Sequence, residues 1–237
     1  MRERVFDKNM LIMAVAIMVG IVVITYFVAD IVHRSQIQEL NTEHTHEIEN
    51  IEENNINFTS SFLESSVLLD SAREDRAFGN YHFDIGRLFY TTALTEINAT
   101  IVVSYKNISI NNCTLAMPKY LTSHQNFNQA SIFFNSSKKF TVYTNYIELL
   151  NLYVNLSQSG AKLTMLRYNA SQYLMMLAEN ITISNNGSVV LENVTELENL
   201  FNETMAMYGA EMGNYEELQD EIDEYDIKGF STIREPV

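Results

Sequence analysis

The stretch LTMLRYNASQYLMML, residues 163–177, decides the fold class of this chain. Its apolar side chains recur at intervals of three and four residues, which is the spacing of one face of an α-helix. They are Leu163, Leu166, Ala170, Tyr173, Leu174 and Leu177. A second stripe with the same period follows at Val190, Val194, Leu197, Phe201 and Tyr208. Both stripes predict amphipathic helices that bury one side against neighbouring helices.

The composition points the same way. With 8 glycines and 2 prolines in 237 residues, the chain has few turn-forming residues, which favours long helices over an all-β fold. The single cysteine excludes a disulfide scaffold, and the net charge of -15 excludes a basic nucleic-acid-binding protein. We therefore predict a mainly α fold, an antiparallel bundle of four or more helices.

The scarce glycines serve to predict where these helices end. Gly79-Asn80 and Gly213-Asn214 are interpreted as hairpin turns, and Gly160 and Gly187 as further breaks. The polar stretch 107–139 contains a proline and lacks a clear period, so it predicts a long surface loop. Two short segments of strand-forming residues further predict a small β-hairpin insertion around residues 131–143.

An uncharged, apolar run occupies residues 9–29. Twenty helical residues span roughly 30 Å, the thickness of the hydrocarbon core of a bilayer. The length of the run, and the lack of small residues at its end, favour an uncleaved membrane anchor over a cleaved signal peptide. Arg2, Arg4 and Lys8 precede the run, which predicts a cytoplasmic segment 1–8 and an exterior remainder. The lipid bilayer is thus the first predicted partner.

The motif Asn-x-Ser/Thr, the acceptor for N-glycosylation, occurs eleven times, where chance predicts about four. The acceptors are Asn57, Asn98, Asn107, Asn112, Asn135, Asn155, Asn169, Asn180, Asn186, Asn193 and Asn202. All follow the predicted anchor, on the side that the charge asymmetry places outside. The lone Cys113 can pair only with another chain and otherwise stays a free thiol. N-glycosylation with an acidic bias and almost no cysteine predicts an archaeal type of cell surface.

Residues 30–57 are predicted to form a helical stalk, and residues 58–237 an extracytoplasmic helical domain. A weak heptad pattern runs through the stalk at Ile37, His44, Ile51 and Phe58, with companions at Asn41, Ile48, Asn55 and Phe62. Such a pattern leaves two arrangements open, a homodimer through the stalk and docking on the chain's own bundle.

Two charged features are candidate sites. Residues 216–226 hold seven acids in eleven positions without the spacing of a calcium loop, which predicts a solvated acidic helix. A mixed cluster flanks Gly79 and would be brought together by a turn there; it comprises Asp70, Arg73, Arg76, His82, Asp84 and Arg87. Ion pairs bracing the turn and arginines that hold a carboxylate ligand are the two interpretations. No metal or cofactor site is predicted.

No nucleophile elbow, zinc-protease motif, phosphate-binding loop or dinucleotide fingerprint occurs, so we do not expect an enzyme. The sequence predicts a membrane-anchored, N-glycosylated surface protein with a structural or protein-interaction role in the envelope. Other envelope or membrane proteins are its expected partners. The alternatives are a ligand-sensing or accessory ectodomain that acts through partner membrane proteins, and a pilin-like subunit.

Overall fold

The computed structural model describes residues 8–184, 188–191 and 194–225, with side chains at Met18 and from Thr25 onward. These residues are mainly helical. The elements are α1 (Lys8–Thr95), α2 (Ala99–Ser137), a short 3-10 helix (Lys138–Phe140), α3 (Thr144–Glu179), β1 (Ile181–Ile183), β2 (Val189–Leu191) and α4 (Thr195–Glu224). The two strands pair antiparallel, with Thr182 opposite Val190. The predicted mainly α fold is confirmed.

The chain divides into two compact units, Met1–Asn54 and Asn55–Val237. In the first unit the described side chains lie on α1 and are almost all exposed, and Arg34 pairs with Asp30 one turn away at 2.9 Å. The predicted stalk is therefore helical, while pairing through it stays a prediction.

Among the described residues, no helical segment combines the length and the hydropathy needed to cross a bilayer. The predicted membrane segment, residues 9–29, falls largely on the part of α1 whose side chains lie outside the described residues.

In the second unit, consecutive helices run antiparallel. His82, late on α1, contacts Asn112, early on α2, with 3.0 Å between imidazole Nδ1 and amide Oδ1. Ser61, earlier on α1, donates to the carbonyl of Phe133, late on α2, so the two helices run in opposite directions. His124 of α2 contacts the carbonyl of Ala161 on α3 at 2.9 Å, and α4 returns alongside α1 and α3. The predicted antiparallel helical bundle is thus confirmed for this unit.

Small buried residues at seven-residue intervals hold the helices close together. On α1 these positions, called the inner row below, are Ser65, Ala72, Gly79, Gly86 and Ala93. The matching row of α2 is Ser109, Ala116, Ser123, Ala130 and Ser137, and that of α3 is Ser157, Thr164, Ser171 and Ala178. The Ser123 hydroxyl donates to the backbone carbonyl of Ala72 at 2.6 Å, so the α1 and α2 backbones nearly touch. Heptad spacing keeps such rows on one side of each helix.

Larger side chains fill the rest of the core in two clusters. One centres on Phe83, Tyr120 and Leu174, and the other on Phe127 and Phe134. On α3 the predicted apolar face is buried, which confirms that prediction; its buried members are Leu163, Leu166, Ala170, Leu174 and Leu177.

The prediction of helix ends at Gly79, Gly160 and Gly213 is wrong, since α1, α3 and α4 run through them. Gly79 is in the inner row, where an added Cβ would lie 2.7 Å from Cε1 of Tyr120. Gly160 is likewise covered by the Phe127 ring. A helical glycine costs only about 1 kcal/mol, which close packing can offset. Gly187 lies outside the described residues.

The predicted loop 107–139 is also wrong, because these residues form most of α2. The buried positions of this segment alternate serine and alanine with aromatic residues, so a hydropathy pattern hides their helical period. Pro118 is exposed on the outer side of the helix. The Asn98 side chain caps the helix by accepting from the amide of Thr100 at 3.0 Å.

The β-hairpin predicted around residues 131–143 is wrong as well. Those residues form the end of α2, the 3-10 helix and the approach to α3. Burial of Phe134 against Tyr153, with ring centroids 4.8 Å apart, outweighs the strand preference of the segment. The small sheet lies instead between α3 and α4.

Candidate functional site

The predicted charged cluster does not come together. Because α1 continues through Gly79, its six members stay on one helix over about 25 Å. Arg73 approaches Asp70 at 3.5 Å, and His82 turns to Asn112. Asp84 and Arg87 are exposed. The turn-bracing interpretation is therefore wrong. Two members contact the core: Nε of Arg73 donates to the hydroxyl of the buried Tyr215 at 3.1 Å, and Arg76 lies over aromatic rings.

Arg76 stands at a core position of α1, seven residues from Leu69 and from Phe83. Its guanidinium carbon lies 4.4 Å from the ring centroid of Tyr215 and 5.8 Å from that of Phe127. The Nη1 atom is buried and has no hydrogen-bond partner among the described residues. Cation–π contact with two rings offsets part of the cost of burying this charge.

Arg167 of α3, which sequence reasoning missed, has the same environment. Its guanidinium carbon lies 4.0 Å from the Tyr208 ring centroid and 4.5 Å from that of Phe83. The Nε atom is buried without a partner among the described residues. The signal was available in the sequence, because Arg167 is seven residues from Gly160 and from Leu174, both of them buried.

Together, Arg76, Arg167 and the four rings they face form what we call the arginine–aromatic layer. No carboxylate of the described residues lies within 4 Å of either guanidinium. Nearby, Tyr120 donates its hydroxyl proton to the Asn80 amide oxygen at 2.9 Å, and burial raises the pKa of Tyr120 far above its ordinary value despite the positive charge of Arg167. The Tyr215 hydroxyl accepts from Nε of Arg73 at 3.1 Å, so the donors of this layer that lack an acceptor among the described residues are Nη1 of Arg76 and Nε of Arg167.

A second polar network joins α3 to α4 and was also missed. The buried carboxylate of Glu211 accepts from the Ser159 hydroxyl at 2.6 Å and from the Asn214 amide at 3.2 Å, and it pairs with the Lys162 ammonium. Burial alone would raise the pKa of Glu211, but hydrogen bonds from Lys162, Ser159 and Asn214 outweigh it, and the pKa is lowered. The Glu211 carboxylate thus has hydrogen-bond partners on both helices, and we interpret the network as a brace between α3 and α4.

None of the nine glycosylation sequons with described asparagines is in the core. Six asparagines are exposed, at 98, 107, 135, 155, 180 and 202, and Asn57, Asn112 and Asn169 are partly buried. Asn112 is the most constrained, because its amide donates to the carbonyl of Ile108 at 2.9 Å while its oxygen faces His82. Asn186 and Asn193 lie outside the described residues.

The outward side of α1 in the second unit carries large apolar side chains. This outer face comprises Leu63, Val67, Phe78, Tyr81 and Leu88, each more than half exposed. On α2, α3 and α4, as far as they are described, only Ile132 among the large apolar residues exceeds half exposure. No sequon lies on α1 between Asn57 and the end of the helix, whereas α2, α3 and α4 each carry at least one that is exposed.

Within the described part of the chain, no three histidine, cysteine or acidic side chains converge as metal ligands. The acidic run continues α4 to Glu224, and its described acids are all exposed. Asp226 lies outside the described residues. Cys113 is buried, and burial raises the pKa of its thiol to about 12, so the thiol stays protonated at neutral pH.

Comparison with known proteins gives no assignment: no family model, curated protein or solved structure matches this chain.

Proposed function

We propose that the protein is a membrane-anchored, N-glycosylated cell-surface protein whose helical bundle has a structural or protein-interaction role in the envelope. In this proposal residues 9–29 form the single membrane anchor, residues 1–8 are cytoplasmic and the bundle lies outside. The uncharged run and the basic residues before it support the anchor and its orientation.

The location of the sequons carries the proposal. A glycan must reach solvent, and all nine described acceptor asparagines are exposed or partly exposed although they come from every helix and from the ends of α2 and α3. Sugars at the six exposed asparagines would cover the bundle without unpacking it. They would leave the outer face of α1 uncovered, which suits an interaction role because exposed apolar patches mark binding surfaces.

The experiment expresses the full chain in an archaeal host with an N-glycosylation pathway, with a tag at its C-terminus. Protease added to intact cells should remove the tagged domain, and the Asn107→Gln and Asn202→Gln variants should each migrate faster on a gel than the wild type. Asn151→Gln is the matched control, since Asn151 is exposed but is not in a sequon. A protected domain, or identical migration of all variants, would overturn the proposal.

The buried nitrogens of Arg76 and Arg167 favour a second function, a ligand-sensing ectodomain that binds a carboxylate. A carboxylate bound at either guanidinium would supply an acceptor for its buried, unpartnered nitrogen. Acetate, succinate or citrate should then raise the unfolding temperature of the wild type by several degrees and that of Arg76→Met or Arg167→Met much less. Arg87→Met, which alters an exposed arginine, is the control. Absence of any shift with the wild type would remove this function.

A further inference from the structure

We infer that the outer face of α1 is the pairing surface for a second copy of this chain, packed parallel along the helix. The inference rests on the proposed interaction role and names its partner. It differs from pairing through the stalk, because the face lies on residues 63–88 of the second unit.

The shape of the face fits a helix-to-helix contact. Val67, Tyr81 and Leu88 occupy one row with seven-residue spacing, with Glu74 between them, and Leu63 begins a second row. The second row continues with Asp70, Ala77 and Asp84, so the first row supplies most of the apolar seam of a coiled coil. The face extends over 25 residues, about 38 Å at 1.5 Å per residue. A straight apolar row on one helix matches a copy of itself in a two-fold pair.

The exposed area also suits pairing. The five side chains of the outer face are between 52% and 68% exposed. They present on the order of 600 Å² of surface per copy, near the roughly 800 Å² that each partner contributes to a standard interface. No other described helix of the unit offers a comparable face, and sequons occur on all the others. A glycan-free, apolar side is what a pair of glycoproteins needs for close approach.

The charges on the face set the strength of pairing. Asp70, Glu74 and Asp84 lie on the same side of α1, so a parallel pair brings like charges together. We therefore expect weak pairing in solution and stronger pairing where copies share one membrane, because confinement raises their effective concentration. Replacing the central acid Glu74 by leucine should tighten the pair.

Cysteine cross-linking of the full chain in membranes tests the face directly. Tyr81→Cys should give a covalent dimer under mild oxidation. The matched control Met207→Cys places a thiol at a similarly exposed residue of α4 and should give none. The wild type should also give none, because Cys113 is buried. Equal cross-linking of both variants, or cross-linking through Ile48→Cys of the stalk but not through Tyr81→Cys, would overturn the inference.

Light scattering of the purified full chain in detergent gives the second measurement. The wild type should show a concentration-dependent dimer, Tyr81→Glu should weaken it at least about tenfold, and Glu74→Leu should strengthen it. Met207→Glu, the control, should leave it unchanged. A wild type and a Glu74→Leu variant that both stay monomeric would overturn the inference.

The two proposals fail separately. A chain that is glycosylated and accessible to protease on cells but never dimerises keeps the proposed function and loses the pairing surface. A chain that dimerises through Tyr81 but is neither glycosylated nor accessible keeps the pairing surface and loses the cell-surface role.

Discussion

Both sides of α1 carry large apolar side chains, since Leu69, Phe83 and Tyr90 are buried beside the inner row. The inner row, which is buried, consists of serine, alanine and glycine, whereas the outer face, which is exposed, carries leucine, valine, phenylalanine and tyrosine. Close approach of backbones explains the inner row, as the 2.6 Å hydrogen bond from Ser123 to the Ala72 carbonyl shows. Within one copy, Lys119 of α2 lies over Phe78 of the outer face, with Nζ 5.4 Å from the ring centroid, and all five side chains of the face still remain more than half exposed.

The difference teaches that bulk and hydrophobicity do not by themselves locate a core. A buried position can require a small residue because the neighbouring helix leaves no room for a larger one. A large apolar residue can remain exposed because its partner is another molecule. The same substitution on the two sides of α1 should therefore have very different effects.

The largest expected effect comes from enlarging the inner row. Ala72→Leu should lower the free energy of unfolding by about 3 kcal/mol, because a fully buried alanine beside the α2 backbone has no space for three more carbons. Ala77→Leu, the same change at an exposed position of the same helix, should alter it by less than about 0.5 kcal/mol. Urea unfolding followed by circular dichroism measures both. Equal losses would show that the two sides do not differ in packing.

Charge gives the next contrast, between the buried acid of α4 and an exposed acid on the outer side of α1. Glu211→Gln should cost roughly 1 to 3 kcal/mol at pH 7, because it removes charge-assisted hydrogen bonds from Lys162 and Ser159. The folded-state pKa of Glu211 is lowered, so its stabilisation is complete above the ordinary pKa of 4.5 and disappears as the pH falls through the folded-state pKa.

Unfolding measurements from pH 7 to pH 3 should therefore show the gap between wild type and Glu211→Gln closing on acidification. Glu74→Gln, which alters an exposed acid, should differ from the wild type by less than about 0.5 kcal/mol at pH 7. A gap that is constant with pH would contradict the assigned ionised brace.

The smallest expected changes in stability come from replacing two helical glycines by alanine, and the two changes have opposite signs. Gly213→Ala should stabilise the protein by about 0.5 to 1 kcal/mol, because an added Cβ there meets nothing within 4 Å and alanine favours the helix. Gly79→Ala should destabilise by about 1 kcal/mol, because its Cβ would come within 2.9 Å of three ring atoms of Tyr120. Thermal unfolding of the two variants side by side measures the difference. Stabilisation by both would show that the inner row has spare room.

The sequence predicted helical class and the buried face of α3 because leucine marks these positions directly. It could not predict that α2 is a helix, because half of its buried positions are serine and alanine, which hydropathy counts as neutral or polar. The prediction of helix ends at glycines was wrong for a related reason. A glycine that ends a helix and one that admits a neighbouring ring look alike until the neighbour is known.

The candidate site was predictable only in part. The sequence identified Arg76 as one member of a cluster of charged residues. Its contacts, however, are with Phe127 and Tyr215, which lie far away in the chain. Arg167 has no charged neighbours in sequence and was missed. A search for charged residues at core heptad positions would have found both.

The sequence by itself determined the helical class, the sequons and the uncharged run, because local spacing and composition carry these features. Only the tertiary structure decided which glycines pack against rings, that α2 is one helix, that two arginines meet aromatic rings in the core, and that the outer face of α1 stays uncovered. These depend on which residues meet across helices, and the chain fixes such contacts through long-range packing that no local pattern records.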